Sequence, residues 1–302
     1  MDPHTYPDRP WPLSTLTIKH TDVYLRRAYS RIQRTLTPQT VLFLGDLLDG
    51  GREWGTRETH SPEERYRSYG PLYWLWEYDR FAHIFLKEWG QKTKADSERR
   101  DGRRIIASLP GNHDLGFGRG IQLPVRKRFE TYLGEGNRVD VIGNHTFVSL
   151  DTVSLSARDQ GGSDEIWGPG FDMLNALEGE RNAAVSRHLR HLYNDPSPVH
   201  RVYESHMRDL KNDYDVAVLQ IPRDMTADDQ QRPSQLPTIL LSHVPLYRPP
   251  DTNCGPLREK GKAISISSGY QYQNALTPSL TDFLIETVGA DGTLHHLSLI
   301  HI

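Results

Sequence analysis

Three short apolar runs in this chain end in the same way. VLFLG (41–45), IIASLPG (105–111) and TILLSH (238–243) are each composed like a strand that hides most of its surface, and each turns polar at its carboxyl end. Helical spacing lies between and around them. Tyr24, Leu25, Ala28, Ile32 and Leu36 recur at three- and four-residue steps, so a helix is expected over Thr21 to Leu36, with Thr21 or Asp22 capping it and Pro38 beyond its end. Leu72 to Trp89 is strongly aromatic and suits a second helix, and Ser279 to Val288 suits a short one. Val139–Val141 and His145–Leu155 read as a strand pair turning at Gly143-Asn144. Residues 157–237 hold polar loops and one helix around Leu174 to Leu192. Strands alternating with helices imply an α/β fold, and open sheets of that kind bind ligands outside the carboxyl ends of their strands.

That rule directs attention to the residues at the end of each run. After VLFL stands GDLLDGG (45–51), where Gly45 lets the backbone turn and Asp46 projects a carboxylate able to bridge two hard cations. Taken alone, Gly-Asp after a strand also suits a plain turn or a helix cap. After IIASL stands PGNHD (110–114): Asn112 offers an amide oxygen to a metal, His113 beside it is free to face a substrate, and Gly111 permits close approach. His243 sits where TILLS turns polar; alone it also suits a core histidine bonded to backbone.

The totals exclude some alternatives. With 302 residues the chain has length for one large α/β domain and a substantial core. A formal net charge of −3 gives no global field for nucleic acid. The basic runs Arg26, Arg27, Arg31, Arg34 and Arg99, Arg100, Arg103, Arg104 are expected to be solvated helix faces or loops. A single cysteine, Cys254, rules out an internal disulfide and a cysteine-rich zinc site. No apolar run approaches the roughly 18 residues of a membrane-spanning helix.

Strand-GD, strand-GNH and strand-SH, in that order, resemble the calcineurin-like metallophosphoesterases. Their motif blocks run Asp-x-His or Asp-x-Gln, Gly-Asp, Gly-Asn-His-Asp/Glu, His, and Gly-His-x-His. The stretches DPHTYPDRPWPLS, TDVYLRRAYSRIQ, FLGDLLDGGREW, LPGNHDLGF, SHVPLYRP, CGPLRE and GYQYQN resemble one branch more closely. Its members remodel glycosylphosphatidylinositol (GPI) anchors by removing ethanolamine phosphate from a mannose. The resemblance implies a single metallophosphoesterase domain over 1–302, with central β-sheets flanked by helices and variable insertions around 50–104 and 157–237. It implies two divalent metal ions, manganese by preference, with Asp46 shared between them and Asn112 and His243 holding the second. His113 is then expected to neutralise charge on phosphoryl and leaving-group oxygens, and Asp114 to orient His113 through its other ring nitrogen. The implied substrate is a GPI-anchor glycolipid or GPI-anchored protein, at the endoplasmic reticulum or Golgi membrane, with no nucleic acid. Membrane association is expected only through segments outside these 302 residues. The alternatives are a catalytically inactive binding or scaffold module that keeps the fold, or a metallophosphatase acting on another phosphoester.

Several residues stand at the margins of this reading. Arg52 and Arg119 follow the motif strands and suit either a phosphate contact or a surface salt bridge. Cys254 and the 270–274 run, with Tyr270 and Tyr272, match family signatures without a chemical role. Asp2-Pro3-His4 is expected to be a turn downstream of the family's first metal motif, with the first strand of the sheet missing. The tail GADGTLHHLSLIHI offers His295, His296 and His301 in place of the Gly-His-x-His block, and is expected to be an altered end. On that expectation the site lacks ligands at both ends of the domain.

Overall fold

The computed structural model describes residues 13–52, 71–90, 103–192, 236–249, 275–289 and 294–298. Asp2, His4, Cys254, Tyr270, Tyr272 and His301, with much of the two expected insertions, lie outside the described residues.

Helix α1 runs over Leu13–Leu36 and leads into β1, Thr40–Leu42. The aromatic segment forms α2 (Pro71–Phe81), a π-helical turn (Ala82–Leu86) and α3 (Lys87–Gly90). Then come β2 (Arg104–Ile106), α4 (Asn112–Leu115), α5 (Leu123–Leu133), β3 (Arg138–Ile142) and β4 (His145–Leu150). The next three elements are helices: α6 (Thr152–Ser156), α7 (Asp164–Asn175) and α8 (Leu177–Leu192). Last are β5 (Thr238–Ser242), α9 (Pro278–Val288) and β6 (Leu294–Ser298).

The strands form two sheets among the described residues. β1 and β2 pair in parallel, Thr40 with Arg104 through Leu42 with Ile106. The other sheet has the order β3-β4-β5-β6, antiparallel in the β3–β4 hairpin and parallel across β4–β5 and β5–β6. The hairpin turns where Gly143 and Asn144 both take positive φ (54° and 61°), the geometry of a type I′ turn. The parallel centre is dry: Val148, Leu150 and Leu240 have no exposed surface and pack with α6, α7 and α9 through Val153, Leu174 and Leu284. A second, aromatic cluster of Tyr73, Trp74, Tyr78 and Phe81 from α2 closes over Leu48. The result is a mixed α/β molecule with small sheets flanked by helices.

Several elements differ from the expectation. α1 begins at Leu13, not at Thr21, so neither Thr21 nor Asp22 is a cap; Asp22 instead holds Arg80 with two hydrogen bonds of 2.7 and 3.0 Å. β1 is three residues long and half-buried rather than hidden on both faces, because it pairs on one side only among the described residues. β4 stops at Leu150: the Asp151 side chain accepts the Ser154 N–H at 2.9 Å and starts α6, turning the expected strand end into a helix. The helix expected near 174–192 is α8, beginning at Leu177, and α7 before it is a further helix in a stretch read as polar loops. The second basic run is not a solvated loop at its end. Arg103 lies over the Trp89 ring at 3.9 Å and bonds the Gln33 side chain at 2.8 Å, and Arg104 donates to the Val141 carbonyl at 3.1 Å. His295 and His296 lie on β6, in register with Ile239 and Leu240 of β5.

Candidate metal centre

The carboxyl ends of β1, β2 and β5 meet at one place. Asp46 comes after β1, the Gly111–Asp114 turn after β2, and His243 directly after β5. His243 is fully buried. Its Nδ1 lies 2.8 Å from the Leu44 carbonyl oxygen, and a carbonyl only accepts, so Nδ1 carries the proton. Burial pushes His243 below the ordinary histidine range, against the pull of the Asp46 charge, and so favours the neutral ring. Nε2 is then a lone pair, yet it faces Asn112 Oδ1 at 2.8 Å and Asp46 Oδ1 at 3.5 Å. Three electron-rich atoms thus converge with no proton of their own to share.

Asp46 completes the picture. Its Oδ1 accepts the His113 backbone N–H at 2.9 Å, while its Oδ2 is buried without a hydrogen-bond partner. A buried carboxylate oxygen left unpaired is costly unless a cation meets it. Carboxylate oxygen, amide oxygen and neutral imidazole nitrogen together are a donor set that fits a divalent cation. Among the described residues no group of three or more His, Cys, Asp or Glu side chains forms a fuller shell.

The backbone is shaped around this point. Asp46 itself takes positive φ (52°), a conformation a non-glycine residue adopts at a cost of about 1–3 kcal/mol. A Cβ on Gly45 (φ +95°) would lie 2.5 Å from His243 Nδ1 and 2.8 Å from the Gly111 backbone. A Cβ on Gly111 would collide with the Asp46 carboxylate. Glycine at both positions lets the GD and GNHD turns touch.

Asp114 does not do what the sequence suggested. Its Oδ2 accepts the N–H groups of Gly111 (2.7 Å) and Leu47 (3.2 Å), and its Oδ1 that of Leu48 (2.9 Å). It ties the two turns together and has no bond to the His113 ring. Burial pushes its carboxyl up to about 7, against the pull of the Gly111 N–H and with the Asp46 charge adding to the rise. The partner of His113 is Asp49. Nδ1 of His113 lies 2.9 Å from the Asp49 carbonyl oxygen and 3.4 Å from its side-chain oxygen, so Nδ1 again carries the proton. The Asp49 side chain holds His113 above its ordinary pKa, against desolvation. His113 Nε2 has no partner among the described residues, and the side chain is partly open to solvent.

Arg52 touches this site through backbone: its N–H donates to the His113 carbonyl at 3.0 Å and its guanidinium to the Asn112 carbonyl at 3.4 Å, beside the Phe117 ring. Arg119 is exposed in a 3₁₀ turn, Gly118–Gly120, with no bond to the site. Sequence reasoning missed Asp49, although it stands three residues after Asp46 in the same motif, and it missed Glu77, which accepts the Asp49 N–H at 3.2 Å.

Comparisons with known proteins find two relatives of this chain. The chain is 30% identical to Cell division control protein 1 of Saccharomyces cerevisiae over 289 residues, 95% of this chain and 42% of the relative. It is 24% identical to Metallophosphoesterase 1 of Ailuropoda melanoleuca over 243 residues, 78% of this chain and 45% of the relative. The chain thus spans less than half the length of these curated relatives. No family model and no solved structure matches it. The homology implies a calcineurin-like fold and a dependence on metal ions. Since the similarity extends over nearly the whole chain, this chain is homologous to these two relatives, one of which is named a metallophosphoesterase.

Proposed function

We propose that the chain is the catalytic core of a metal-dependent phosphodiesterase that removes ethanolamine phosphate from a GPI-anchor mannose. The observation that carries the metal-dependent part is the unpaired, buried Asp46 Oδ2 beside His243 Nε2 and Asn112 Oδ1. The substrate rests on the likeness of stretches such as FLGDLLDGGREW, LPGNHDLGF and SHVPLYRP to the anchor-remodelling branch. A membrane-bound glycolipid would reach this core through segments other than the described helices, none of which is long and apolar enough to cross a membrane.

In this reading Asp46, Asn112 and His243 would hold the divalent cations, manganese by preference. When bound, such ions supply Lewis-acid charge next to phosphorus and lower the pKa of water. The protein does the rest. His243 is kept neutral and aimed by Leu44 O, so its lone pair is available without competition from a proton. His113 holds one proton on Nδ1 against Asp49 O and presents Nε2 to the ligand. With its pKa raised by the Asp49 side chain, it is the proton donor to the departing sugar oxygen. The Asp46–His113 N–H bond keeps the carboxylate and this acid in fixed relation.

The test is release of ethanolamine phosphate from a GPI glycolipid by the purified protein after chelation and after adding back manganese, beside a nucleotide and a phosphoprotein as competing substrates. Manganese-dependent release from the glycolipid alone supports the proposal. Turnover of the nucleotide or phosphoprotein instead would sink the substrate assignment, and turnover undiminished by chelation would sink the metal.

A further inference from the structure

Glu77 is out of place. It lies on the face of α2 that buries Tyr73, Trp74, Tyr78 and Phe81, and is itself only 4% exposed. A carboxylate on an aromatic face is expensive unless every oxygen is used. Both are. Oε1 accepts from Arg80 at 2.7 Å, and Oε2 accepts the backbone N–H of Asp49 at 3.2 Å. Arg80 is held in turn: Asp22 of α1 takes its Nε and Nη2, and its guanidinium lies 4.8 Å from the Trp76 ring centre.

Asp49 sits in the irregular stretch between β1 and the end of the GDLLDGG turn. Its carbonyl is the group that fixes the His113 tautomer. The N–H of the same residue is the group that Glu77 grips. One residue is therefore held at its amide by α2 and holds His113 at its carbonyl. We infer that Glu77 is a positioning residue for His113: with Arg80 and Asp22 behind it, it pins the Asp49 backbone so that the carbonyl keeps the proton on His113 Nδ1 and leaves Nε2 for the ligand.

A structural filler would be served as well by an apolar side chain of the same size. A positioning carboxylate would not, because the Asp49 amide would lose the Glu77 oxygen and the carbonyl would be held less firmly. Misplacing a proton donor costs rate without weakening ground-state binding. The inference rests on the proposed role of His113 for its kinetic arm, but not for its spectroscopic one.

The experiment reads the ring nitrogens of His113 by long-range proton–nitrogen NMR in the full chain, in wild type, Glu77→Gln and Glu77→Met, with kcat and KM for the same three proteins. At a pH where the ring is neutral, the Nδ1–H tautomer is expected to dominate in wild type and in Glu77→Gln, which keeps an acceptor. In Glu77→Met the two tautomers are expected to mix and kcat to fall by about tenfold or more, with KM within about twofold. A folded Glu77→Met with unchanged ring resonances and unchanged kcat overturns the inference. Should that variant not fold, hydrogen exchange at the wild-type Asp49 amide decides: protection supports the inference, and exchange at the rate of an open chain overturns it. Wild type that holds the Nδ1–H tautomer but hydrolyses no phosphodiester would refute the proposed function and leave the positioning intact.

Discussion

His243 Nε2 and Asn112 Oδ1 stand 2.8 Å apart although 131 positions separate them in the chain, and neither atom has a proton to offer the other in the neutral ring held by Leu44. A cation resolves that opposition. Adding manganese to metal-free protein is therefore expected to raise the melting temperature, by an amount that grows with metal concentration as ligand linkage requires. Calorimetric scans with and without chelator measure it; an unchanged melting point would contradict the assignment of these atoms.

Asp46→Asn separates charge from shape. The asparagine oxygen still accepts the His113 N–H, so stability is expected to change by less than about 1 kcal/mol. Metal affinity and turnover are expected to fall at least about a hundredfold, because the anionic oxygen between the turns is gone. Titration calorimetry with manganese and denaturant unfolding on the same sample read both.

Gly111→Ala tests contact without strain. Gly111 has φ −106°, which alanine adopts freely, so any effect comes from the methyl group striking the Asp46 carboxylate and backbone nitrogen. The expected loss is about 1–3 kcal/mol of stability, together with displacement of Asp46 and weakened metal binding. Gly143→Ala in the hairpin turn meets no neighbour and serves as the comparison: it strains only its own backbone and should leave metal binding unchanged.

The raised pKa of His113 has a definite sign. A folded-state pKa above the ordinary 6.5 contributes stability that is fully present below about pH 6.5 and is lost as pH rises through the folded value. The same shift keeps the acid protonated to higher pH during turnover. Asp49→Asn removes its main cause, so the alkaline limb of the rate profile is expected to move to lower pH, which a kcat/KM profile in the two proteins checks.

Leu48→Ala probes the floor of the site. Leu48 is 1% exposed and sits under the aromatic cluster of α2, one residue from Leu47 and Asp49. Emptying its place is expected to cost about 2–4 kcal/mol and to lower turnover by loosening the turn that carries Asp46 and Asp49. Equilibrium denaturation and steady-state rates measure the two effects.

How much of this was legible in the sequence varies by element. The three strand ends were, because an apolar run that stops at Gly-Asp, Gly-Asn-His or Ser-His shows both the sheet edge and the donor atoms. The start of α1 was not: Thr15, Thr17, Ile18 and Thr21 are β-branched and weaken the helical pattern in the sequence. Thr152 to Leu155 looked like a strand for the same reason, until the Asp151 cap made it a helix. Asp114 was misassigned because adjacency to His113 in sequence suggested adjacency of side chains, whereas consecutive residues in a helical turn point apart. Glu77 could not be found at all. Its partner is 28 residues upstream, and a lone acid in a helix normally means a wet surface.

The centre takes Asp46, Asn112 and His113 from the end of the β1–β2 pair and His243 from the end of β5, in a sheet with which that pair shares no strand among the described residues. It is a rivet through a seam. Whatever holds these four residues together also fixes the angle between the two sheets, so a substitution at the far end of either sheet that tilts one against the other would register first as a change in cation affinity, well before the protein unfolds.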